Sequence, residues 1–402
     1  MQLIPPDQLA IFGGTPAFTE PLYVGRPNIP KRENLLRRID DLLDRRWLTN
    51  AGPFVRELEQ KIAEKLGVKH CIAMCNGTIA LEICIRALGL KGEVIVPSFT
   101  FVATAHALAW QEIAPVFADI DPETHNLDPN RVESMITPRT SGIIGVHLWG
   151  RPCAVAELTV LAQKRGLKLI FDASHAFGCS SGGKMIGAFG EAEVFSFHAT
   201  KFFNTGEGGA VVTNNDALAE KIRLMKNFGF AGFDNVIHVG TNGKMNELSA
   251  AVGLTCLETL DEVVEVNRSN HSIYHRELSG IPGLTLMDYD RREQSNYQYL
   301  IVEVDASATG FTRDELVKLL HAERVIARRY FYPGCHRMEP YRSLQPHAGL
   351  LLPATERLTQ RVMALPTGTG IDSTEIVRVC HLIRSAISNA SEIARRLRQF
   401  KS

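Results

Sequence analysis

One segment of the chain is more informative than any other: Phe197-His198-Ala199-Thr200-Lys201-Phe202-Phe203-Asn204-Thr205-Gly206-Glu207-Gly208-Gly209. Its lone lysine, Lys201, follows a strand-like apolar run, and a second apolar run, Ala210–Val212, comes after the glycines. A lysine that leaves the end of a strand into partly apolar surroundings has its charged form disfavoured by desolvation. Its pKa is therefore expected to fall toward that of a nucleophilic amine, as a Schiff-base lysine requires.

A second informative segment lies upstream, at the end of a predicted buried strand. The run Leu167-Lys168-Leu169-Ile170-Phe171 is followed by Asp172, and open α/β sheets bind ligands at the carboxyl ends of such strands. Pyridoxal phosphate needs a lysine to hold its aldehyde and an acid to keep its ring nitrogen protonated. Taken alone, Asp172 is better explained as a loop cap and Lys201 as a surface residue. Together, in this order, they favour a pyridoxal phosphate site.

With these two segments the chain resembles the DegT/StrS-type (DegT/DnrJ/EryC/StrS) family of pyridoxal phosphate-dependent aminotransferases, which aminate nucleotide-linked keto-sugars. The resemblance extends from about Gly13 to about Pro366. It implies an α/β protein of fold type I, with a mostly parallel central sheet flanked by helices and a smaller C-terminal α/β domain. The other matching motifs are Gly13-Gly14-Thr15-Pro16, Trp47-Leu48-Thr49-Asn50-Ala51-Gly52-Pro53, Asn76-Gly77-Thr78-Ile79-Ala80-Leu81, Pro97-Ser98-Phe99-Thr100-Phe101-Val102-Ala103-Thr104 and Met225-Lys226-Asn227-Phe228-Gly229.

The pattern of apolar residues agrees with this fold class. Between residues 70 and 214 strand patterns alternate with helical ones, which indicates a largely parallel sheet covered by helices. Farther on, one long helix is predicted from Asn246 to about Leu278, a strand at Tyr297–Val304 and a helical C-terminus from Ser373 to about Arg396. We predict an N-terminal segment with a large cofactor-binding domain at 1–259, and a smaller domain at 260–402. The strands of the large domain are predicted at His70–Cys75, Glu93–Pro97, Val116–Asp119, Gly142–His147, Leu167–Phe171, Val194–Phe197 and Ala210–Thr213, and its helices at Thr78–Leu88, Val102–Trp110 and Val155–Arg165.

Composition excludes several classes of function. The 44 Lys and Arg residues balance 44 Asp and Glu residues, so the chain lacks the basic excess that is usual in nucleic-acid-binding proteins. Its eight cysteines form no Cys-x-x-Cys pair, and no pattern predicts a metal site. The first residues have no signal-peptide character, and no apolar run is long enough to cross a bilayer. We expect a cytoplasmic protein with reduced thiols that binds neither nucleic acid nor membranes.

A phosphate site is predicted where Cys75-Asn76-Gly77-Thr78 joins a strand to a helix. Gly77 and Thr78 are the candidates, because glycine lets the backbone approach a ligand closely and the first N–H groups of a helix favour anions. An ordinary helix cap at Asn76 or Thr78 explains the segment equally well. The resemblance implies that the cofactor phosphate lies at this turn, together with Ser196.

The resemblance implies further cofactor contacts. Phe101 is expected to stack on the pyridine ring, although core packing is the usual role of a phenylalanine and Phe99 is a competitor. His175 is expected close to the phenolic oxygen of the cofactor. His198 either faces the substrate or satisfies a loop carbonyl. Asn227 is expected to contact the phosphate in the neighbouring subunit, which implies a homodimer with shared active sites.

Substrate contacts are less well specified. Residues 328–337 and the segment Val24-Gly25-Arg26-Pro27-Asn28 resemble the family's subgroup that aminates 4-keto sugars. The family commonly has Asn-Tyr-Arg where this chain has Asn242-Gly243-Lys244, so a bidentate arginine contact is lost there. The substrate candidates are Arg26, Thr49, His198, Lys244, Tyr330 and Tyr332.

Other nucleotide sites are excluded. Gly178-Cys179-Ser180-Ser181-Gly182-Gly183-Lys184 fits a P-loop pattern, but Met185 stands where Ser or Thr should hold magnesium. No Gly-x-Gly-x-x-Gly follows a strand, which argues against a dinucleotide fold. Within the family, a chain that lacks the lysine or the acid is expected to be a non-catalytic regulator. A sugar dehydratase of the family has histidine at the lysine position. This chain has both Lys201 and Asp172.

We therefore predict an aminotransferase with pyridoxal 5'-phosphate as cofactor. It is expected to move an amino group from an amino acid, which the resemblance implies is glutamate, to a keto-deoxy-sugar on a nucleoside diphosphate, with C4 as the preferred position. In this prediction Lys201 binds the cofactor and then moves a proton between substrate and cofactor carbons, while Asp172 holds the ring nitrogen. The alternatives are amination at C3 and a cofactor-binding regulator without activity.

Overall fold

The computed structural model describes residues 2–399 of the chain, with side chains through residue 396. Residue 1 and residues 400–402 of the two predicted domains lie outside the described residues. The helices are, in chain order, α1 (Arg32–Arg45), α2 (Pro53–Leu66), α3 (Gly77–Leu88), α4 (Ala103–Ala109), α5 (Pro129–Met135), α6 (Val155–Arg165), α7 (Asp216–Met225), α8 (Glu247–Leu257), α9 (Leu260–Leu278), α10 (Ala306–Thr309), α11 (Arg313–Ala322), α12 (Tyr341–Leu344), α13 (Pro353–Thr359), α14 (Ser373–Ser388) and α15 (Ala390–Gln399). The strands are β1 (Leu22–Tyr23), β2 (His70–Met74), β3 (Glu93–Pro97), β4 (Ala114–Ala118), β5 (Thr140–Val146), β6 (Lys168–Asp172), β7 (Ser180–Ser181), β8 (Lys184–Met185), β9 (Ala192–Ser196), β10 (Gly209–Thr213), β11 (Leu284–Leu286), β12 (Leu300–Val304), β13 (Val325–Ile326) and β14 (Val362–Leu365).

The largest sheet has the strand order β2-β10-β9-β6-β5-β3-β4. Its neighbouring strands are parallel except where β10 pairs with β2 and β9. This confirms the predicted mostly parallel sheet. The seven predicted strands of this region are all present, with ends that differ by at most two residues. The strands β6 and β9 pair in parallel, so the ends that carry Asp172 and Ser196 lie side by side.

Both faces of this sheet are buried. On β2, Ile72 packs into one apolar cluster, together with side chains of α3, and its neighbour Ala73 packs into another, together with side chains of α2. Successive residues of a strand point to opposite faces, so a strand covered on both sides is expected to be apolar at most positions. This explains the unbroken apolar runs of the sequence.

A second core is formed around the three-stranded sheet β11-β12-β14 and the helices α9, α11 and α14. Three residues near the N-terminus, Leu9, Phe18 and Leu22, are buried in this core, and β1 pairs in parallel with β13. The first residues of the chain therefore pack with the smaller core, although they precede the large sheet in sequence. The division into 1–259 and 260–402 stays a prediction.

Two predicted helices are each divided in the structure. The helix expected from Asn246 to Leu278 is interrupted between α8 and α9, where Thr259 leaves the helical conformation with φ −120° and ψ 13°. The C-terminal helix is interrupted at Asn389, whose amide side chain donates to the carbonyls of Ile4 and Ser385. Side chains of this kind compete with helical backbone bonds, and apolar spacing does not show such a break.

The predicted strand at Tyr297–Val304 begins only at Leu300, because Tyr297 has a left-handed backbone with φ 49°. The segment that resembled a P-loop forms the small hairpin β7–β8 without a following helix, which agrees with its exclusion. Within residues 2–399 no helix combines the length and the apolar character that a membrane span needs.

Candidate active site

A cavity of about 590 Å³ opens at the carboxyl ends of β6 and β9, beside the N-terminus of α3. This is the edge at which open α/β sheets bind ligands. Nine of the predicted site residues line the cavity: Gly77, Thr78, Phe101, Asp172, His175, Ser196, His198, Lys201 and Tyr330.

Lys201 lies on the loop after β9. Its Nζ donates a hydrogen bond to the hydroxyl of Tyr299 at 3.5 Å. Burial of the amine lowers its pKa from the ordinary value to about 8, and the nearby carboxylate of Asp172 opposes this shift. The sequence-based expectation of a lowered pKa thus agrees with the surroundings of Lys201. A neutral, nucleophilic amine is accessible near physiological pH.

The sequence predicts a strand that ends at Phe171, directly before Asp172. In the structure Asp172 is itself the last residue of β6. Its Oδ2 accepts a hydrogen bond from Thr104 Oγ1 at 2.8 Å, and its Oδ1 accepts one from the backbone N–H of Ser174 at 3.1 Å. Two donors on different elements therefore fix the plane of this buried carboxylate. Such a group is suited to accept a hydrogen bond from a protonated ring nitrogen.

His175 is buried and neutral. Burial lowers its pKa well below the ordinary value, and the charge of Lys201 adds to the shift. Its Nδ1 accepts a hydrogen bond from the backbone N–H of Trp149 at 3.2 Å, so the ring proton belongs on Nε2. The ring lies parallel to Phe331 at 5.8 Å and contacts Tyr299 at 4.9 Å. His175 therefore presents a single, oriented N–H donor.

The N-terminus of α3 forms the opposite wall of the cavity. Asn76 caps this helix, since its side chain accepts from the backbone N–H of Ile79 at 2.8 Å. The cap and the phosphate prediction are compatible, because Gly77 and Thr78 still line the cavity and helix N-termini favour anions. A Cβ atom at Gly77 would lie 3.0 Å from Cβ of Ser196. Glycine here allows the helix to approach the end of β9.

The structure separates the two competing phenylalanines. Phe101 is 57% exposed and lines the cavity, whereas Phe99 is 1% exposed and packs edge-on against Trp149 at 5.5 Å. Phe101 is thus the aromatic side chain that is free to stack on a ligand, and Phe99 belongs to the core.

Two substrate candidates lie beside the cavity without lining it. Arg26 borders a small recess of about 30 Å³ that shares Thr200, Tyr299 and Tyr330 with the main cavity, and its guanidinium donates to the carbonyl of Gly370 at 3.3 Å. Tyr332 borders an adjoining cavity of about 400 Å³. Its ring lies 4.6 Å from the guanidinium of Arg329.

Three further candidates do not line the cavity of their own chain. Lys244 donates to the side-chain oxygen of Asn227 at 3.0 Å and lies 4.8 Å from the ring of Phe228. Thr49 is on an exposed loop, where its carbonyl accepts from the indole of Trp47 at 2.7 Å. The roles of these residues stay predictions.

His198 lines the cavity with an exposed side chain. Its Nδ1 shares a hydrogen bond with Thr200 Oγ1 at 2.8 Å, and its Nε2 lies 3.7 Å from the carboxylate of Glu207. Its ring therefore has side-chain partners rather than a loop carbonyl. Whether it contacts substrate stays a prediction.

Sequence reasoning missed several residues that surround the predicted ones. Tyr299 contacts both Lys201 and His175, but its position in an apolar strand pattern resembles that of any core residue. Thr104 belongs to a motif that supported the resemblance, yet its bond to Asp172 joins distant parts of the sequence. Val146, Ser174 and Glu207 also line the cavity without having been predicted, as do Arg328 and Phe331 of the segment 328–337 that was matched to the 4-keto-sugar subgroup.

A family model of the DegT/DnrJ/EryC1/StrS aminotransferase family matches residues 30–384. The chain belongs to this family. It is accordingly an aminotransferase, and both the resemblance and the fold class expected from the sequence are confirmed.

Named relatives in this family are similar over most of their length. A dTDP-4-amino-4,6-dideoxy-D-glucose transaminase of Shigella dysenteriae is 39% identical over 322 residues, which cover 80% of this chain and 88% of the relative. An Escherichia coli protein of the same name is 36% identical over 363 residues, with 90% and 97% coverage. The crystal structure of DesI in the presence of its TDP-sugar product superimposes with a TM-score of 0.94 at 52% identity, over 98% of this chain and 99% of DesI.

Proposed function

We propose that this aminotransferase uses pyridoxal 5'-phosphate to move an amino group from glutamate to C4 of a keto-deoxy-sugar carried on thymidine diphosphate. The observation that carries the proposal is the placement of Lys201 and Asp172 on the wall of one cavity that also includes the N-terminus of α3. An amine, a carboxylate and an anion site around one cavity match the aldehyde, ring nitrogen and phosphate of this cofactor.

The residues present fit the cofactor. The N–H groups of Gly77 and Thr78, with the hydroxyl of Ser196, would hold the phosphate at the end of α3. Asp172 would hold the ring nitrogen, fixed by its bonds to Thr104 and Ser174. The exposed face of Phe101 would cover the ring, and the Nε2–H of His175 would donate to its phenolic oxygen. The bound cofactor supplies an aldehyde and a ring that takes up the electron pair of a broken C–H bond.

Lys201 has two roles in this proposal. Its neutral form, available because burial lowers the pKa to about 8, is the nucleophile that anchors the cofactor. As a free amine, Nζ of Lys201 would accept the proton from the substrate carbon and deliver it to the carbon that is to be protonated. The hydroxyl of Tyr299, within 3.5 Å of Nζ, positions the amine for this movement.

The sugar and nucleotide are supported by the relatives rather than by a bound ligand. The two transaminases of Shigella and Escherichia coli are named for a dTDP-linked 4-amino sugar, and DesI was crystallised with a TDP-sugar. These names favour C4 over C3. In this chain Arg328 and Tyr330 border the cavity, and Arg26 lies in the adjoining recess. The guanidinium groups of Arg328 and Arg26 are suited to a diphosphate, and the hydroxyl of Tyr330 can donate a hydrogen bond.

We further propose a homodimer with shared active sites and a cytoplasmic location. The apolar side chains of Phe228, Phe230 and Phe233 are exposed in the single chain, and large exposed patches of this kind mark interaction sites. Asn227 precedes them and does not line the cavity of its own chain. All eight cysteines are free and seven are buried, as expected of a reducing compartment.

The proposed activity is tested in two half-reactions followed by absorbance. Protein loaded with pyridoxal 5'-phosphate should be yellow, glutamate alone should remove the colour, and a dTDP-linked 4-keto-6-deoxy sugar should restore it. Lys201→Ala should fail in both steps, while Lys184→Ala, which changes an exposed lysine on β8, should behave as wild type. Colour that glutamate leaves unchanged would favour the non-catalytic regulator. Restoration by a 3-keto isomer in preference to the 4-keto sugar would overturn the assignment to C4.

A further inference from the structure

A cluster of two histidines and an aspartate lies outside the catalytic cavity. His271 and His275 are four residues apart on α9, so their side chains share one face of the helix. Asp288 follows β11 and approaches the same face. One ligand-type atom from each of the three residues lies within 4.8 Å of the others.

The atoms of this cluster that could bind a metal lie close to one another and to the backbone carbonyl oxygen of Met287. The Nε2 atoms of His271 and His275 both lie 3.3 Å from the backbone carbonyl oxygen of Met287. The Oδ1 of Asp288 is 4.0 Å from Nε2 of His271. Zinc bonds of about 2.0–2.2 Å in tetrahedral geometry place neighbouring ligand atoms about 3.3–3.5 Å apart. Both nitrogen–oxygen separations already have this length, and the carboxylate has to move by about 0.5 Å to match it.

The environment permits that adjustment. The side chain of His271 is 8% exposed and that of Asp288 is 57% exposed, so the histidine is held in place while the carboxylate borders solvent. The Oδ1 of Asp288 accepts a hydrogen bond from the backbone N–H of Tyr289 at 2.9 Å, and its second lone pair can still bind a metal. The rings of Tyr289 and Tyr297 pack against the ring of His271 with centroid distances of 5.4 and 5.2 Å. Arg291 is the nearby cation that opposes binding, so only moderate affinity is expected.

We propose that His271, His275, Asp288 and the carbonyl oxygen of Met287 form a zinc site that joins α9 to the edge strand β11. Two imidazole nitrogens and two oxygens form a ligand set that suits zinc among the common divalent ions. Without metal, each Nε2–H donates to the carbonyl of Met287. When zinc binds, each ring proton moves to Nδ1 and the Nε2 lone pair forms the new bond. The ion replaces two weak hydrogen bonds by a cross-link within the smaller core.

The site is tested on cofactor-loaded protein with zinc chloride as the probe. Calorimetry is expected to show one zinc ion bound per chain, and saturating zinc should raise the thermal midpoint by a few degrees. His275→Gln retains a donor for the carbonyl of Met287 but removes the metal-binding nitrogen, and Asp288→Asn removes the charge. Each should weaken binding by about tenfold or more. His347→Gln, at an exposed histidine elsewhere, is the matched control and should bind as wild type.

A cobalt titration adds a structural readout. Cobalt in a four-coordinate site is expected to give intense visible bands with wild type and His347→Gln, and these bands should be lost in His275→Gln. Circular dichroism confirms that each variant is folded. Absence of saturable zinc binding to the wild type would overturn the site. So would equal binding by wild type and His275→Gln, since zinc would then be bound elsewhere and the two histidines would serve only as hydrogen-bond donors.

Discussion

The pKa of the Lys201 amine is set by several neighbouring groups together. Burial disfavours its charged form, the carboxylate of Asp172 favours it, and the balance lowers the pKa to about 8. The hydroxyl of Tyr299 and the neutral ring of His175 occupy the space around the amine without adding charge. A cavity of this kind keeps a nucleophile available at a pH where an exposed lysine is almost entirely protonated.

This tuning predicts how the reaction with cofactor depends on pH. Because the pKa of Lys201 is lowered to about 8, the neutral amine makes up about one tenth of the population at pH 7 and about nine tenths at pH 9. Attachment of added pyridoxal 5'-phosphate to cofactor-free protein should therefore accelerate about tenfold between these values and then level off. Stopped-flow absorbance measures the rate, with Lys184→Ala as the unchanged control. A rate that keeps rising tenfold per unit above pH 9 would show that the pKa of Lys201 is not lowered.

The orientation of the Asp172 carboxylate depends on a hydrogen bond from Thr104, which belongs to α4. Thr104 donates to Oδ2 at 2.8 Å, and hydrogen bonds to charged groups are worth about 1.5–3 kcal/mol. Thr104→Val removes this bond at nearly constant volume and should lower kcat by about ten- to hundredfold, because the carboxylate is free to turn. Thr104→Ser keeps the donor and should restore most of the activity.

Asp172→Asn provides the reference for this test. It removes the charge itself and is expected to cost more than Thr104→Val, on the order of 10²- to 10⁴-fold in kcat. If Thr104→Val and Thr104→Ser were equally impaired, the packing of residue 104 would matter and its hydrogen bond would not. If Asp172→Asn were near wild type, Asp172 would have no part in the site.

At the scale of elements, the site depends on how closely α3 approaches β9. A Cβ at Gly77 would lie 3.0 Å from Cβ of Ser196, and a Cβ at Gly209 would lie 2.6 Å from the backbone nitrogen of Gly77. Helix α3 and strands β9 and β10 therefore meet with little space between them. The proposed phosphate subsite would need this contact, since backbone N–H groups hold an anion only at short range.

Substitution of Gly77 tests this contact. Gly77→Ala pushes the start of α3 away from Ser196 and should weaken affinity for pyridoxal 5'-phosphate by about tenfold or more, with modest loss of stability. Gly89→Ala disturbs the other end of α3, where Gly89 has φ +70° and open space for a Cβ. It should cost about 1 kcal/mol in stability and leave cofactor affinity unchanged. Fluorescence titration and thermal unfolding of both variants separate the two effects. Equal cofactor affinity in the two variants would contradict the role of close approach at Gly77.

The sequence predicted elements better than it predicted their ends and partners. Local patterns indicate strand positions, because a strand buried on both faces is apolar at most positions. The breaks at Thr259 and Asn389 depend on local backbone and side-chain bonds that apolar spacing does not reveal. Lys201 and Asp172 each follow an apolar run that the sequence pattern identifies as a strand, and both line the cavity. The sequence did not predict that Tyr299 and Thr104 belong to the site, because their contacts join residues far apart in the chain.

At the scale of the whole molecule, some of the predicted site residues lie away from the cavity of the single chain. Asn227 and Lys244 bond to each other and do not line the cavity of their own chain, and Thr49 lies on an exposed loop. The neighbouring side chains of Phe228, Phe230 and Phe233 are exposed. A two-fold interface that covers these aromatic residues would carry Asn227 toward a partner's cavity, because an isologous contact exchanges the same residues in both directions.

Mixing of subunits tests this arrangement. Lys201→Ala and Asn227→Ala are each expected to be inactive as homodimers, because every site then lacks one residue. In a mixed dimer, one site combines Lys201 from one subunit with Asn227 from the other and is intact, while the second site lacks both. Random exchange of equal amounts should make half of the dimers mixed and restore about a quarter of wild-type activity. Differently tagged subunits measured by pull-down establish that exchange has occurred. Exchange without recovery, or an active Asn227→Ala homodimer, would mean that each site is complete within one chain.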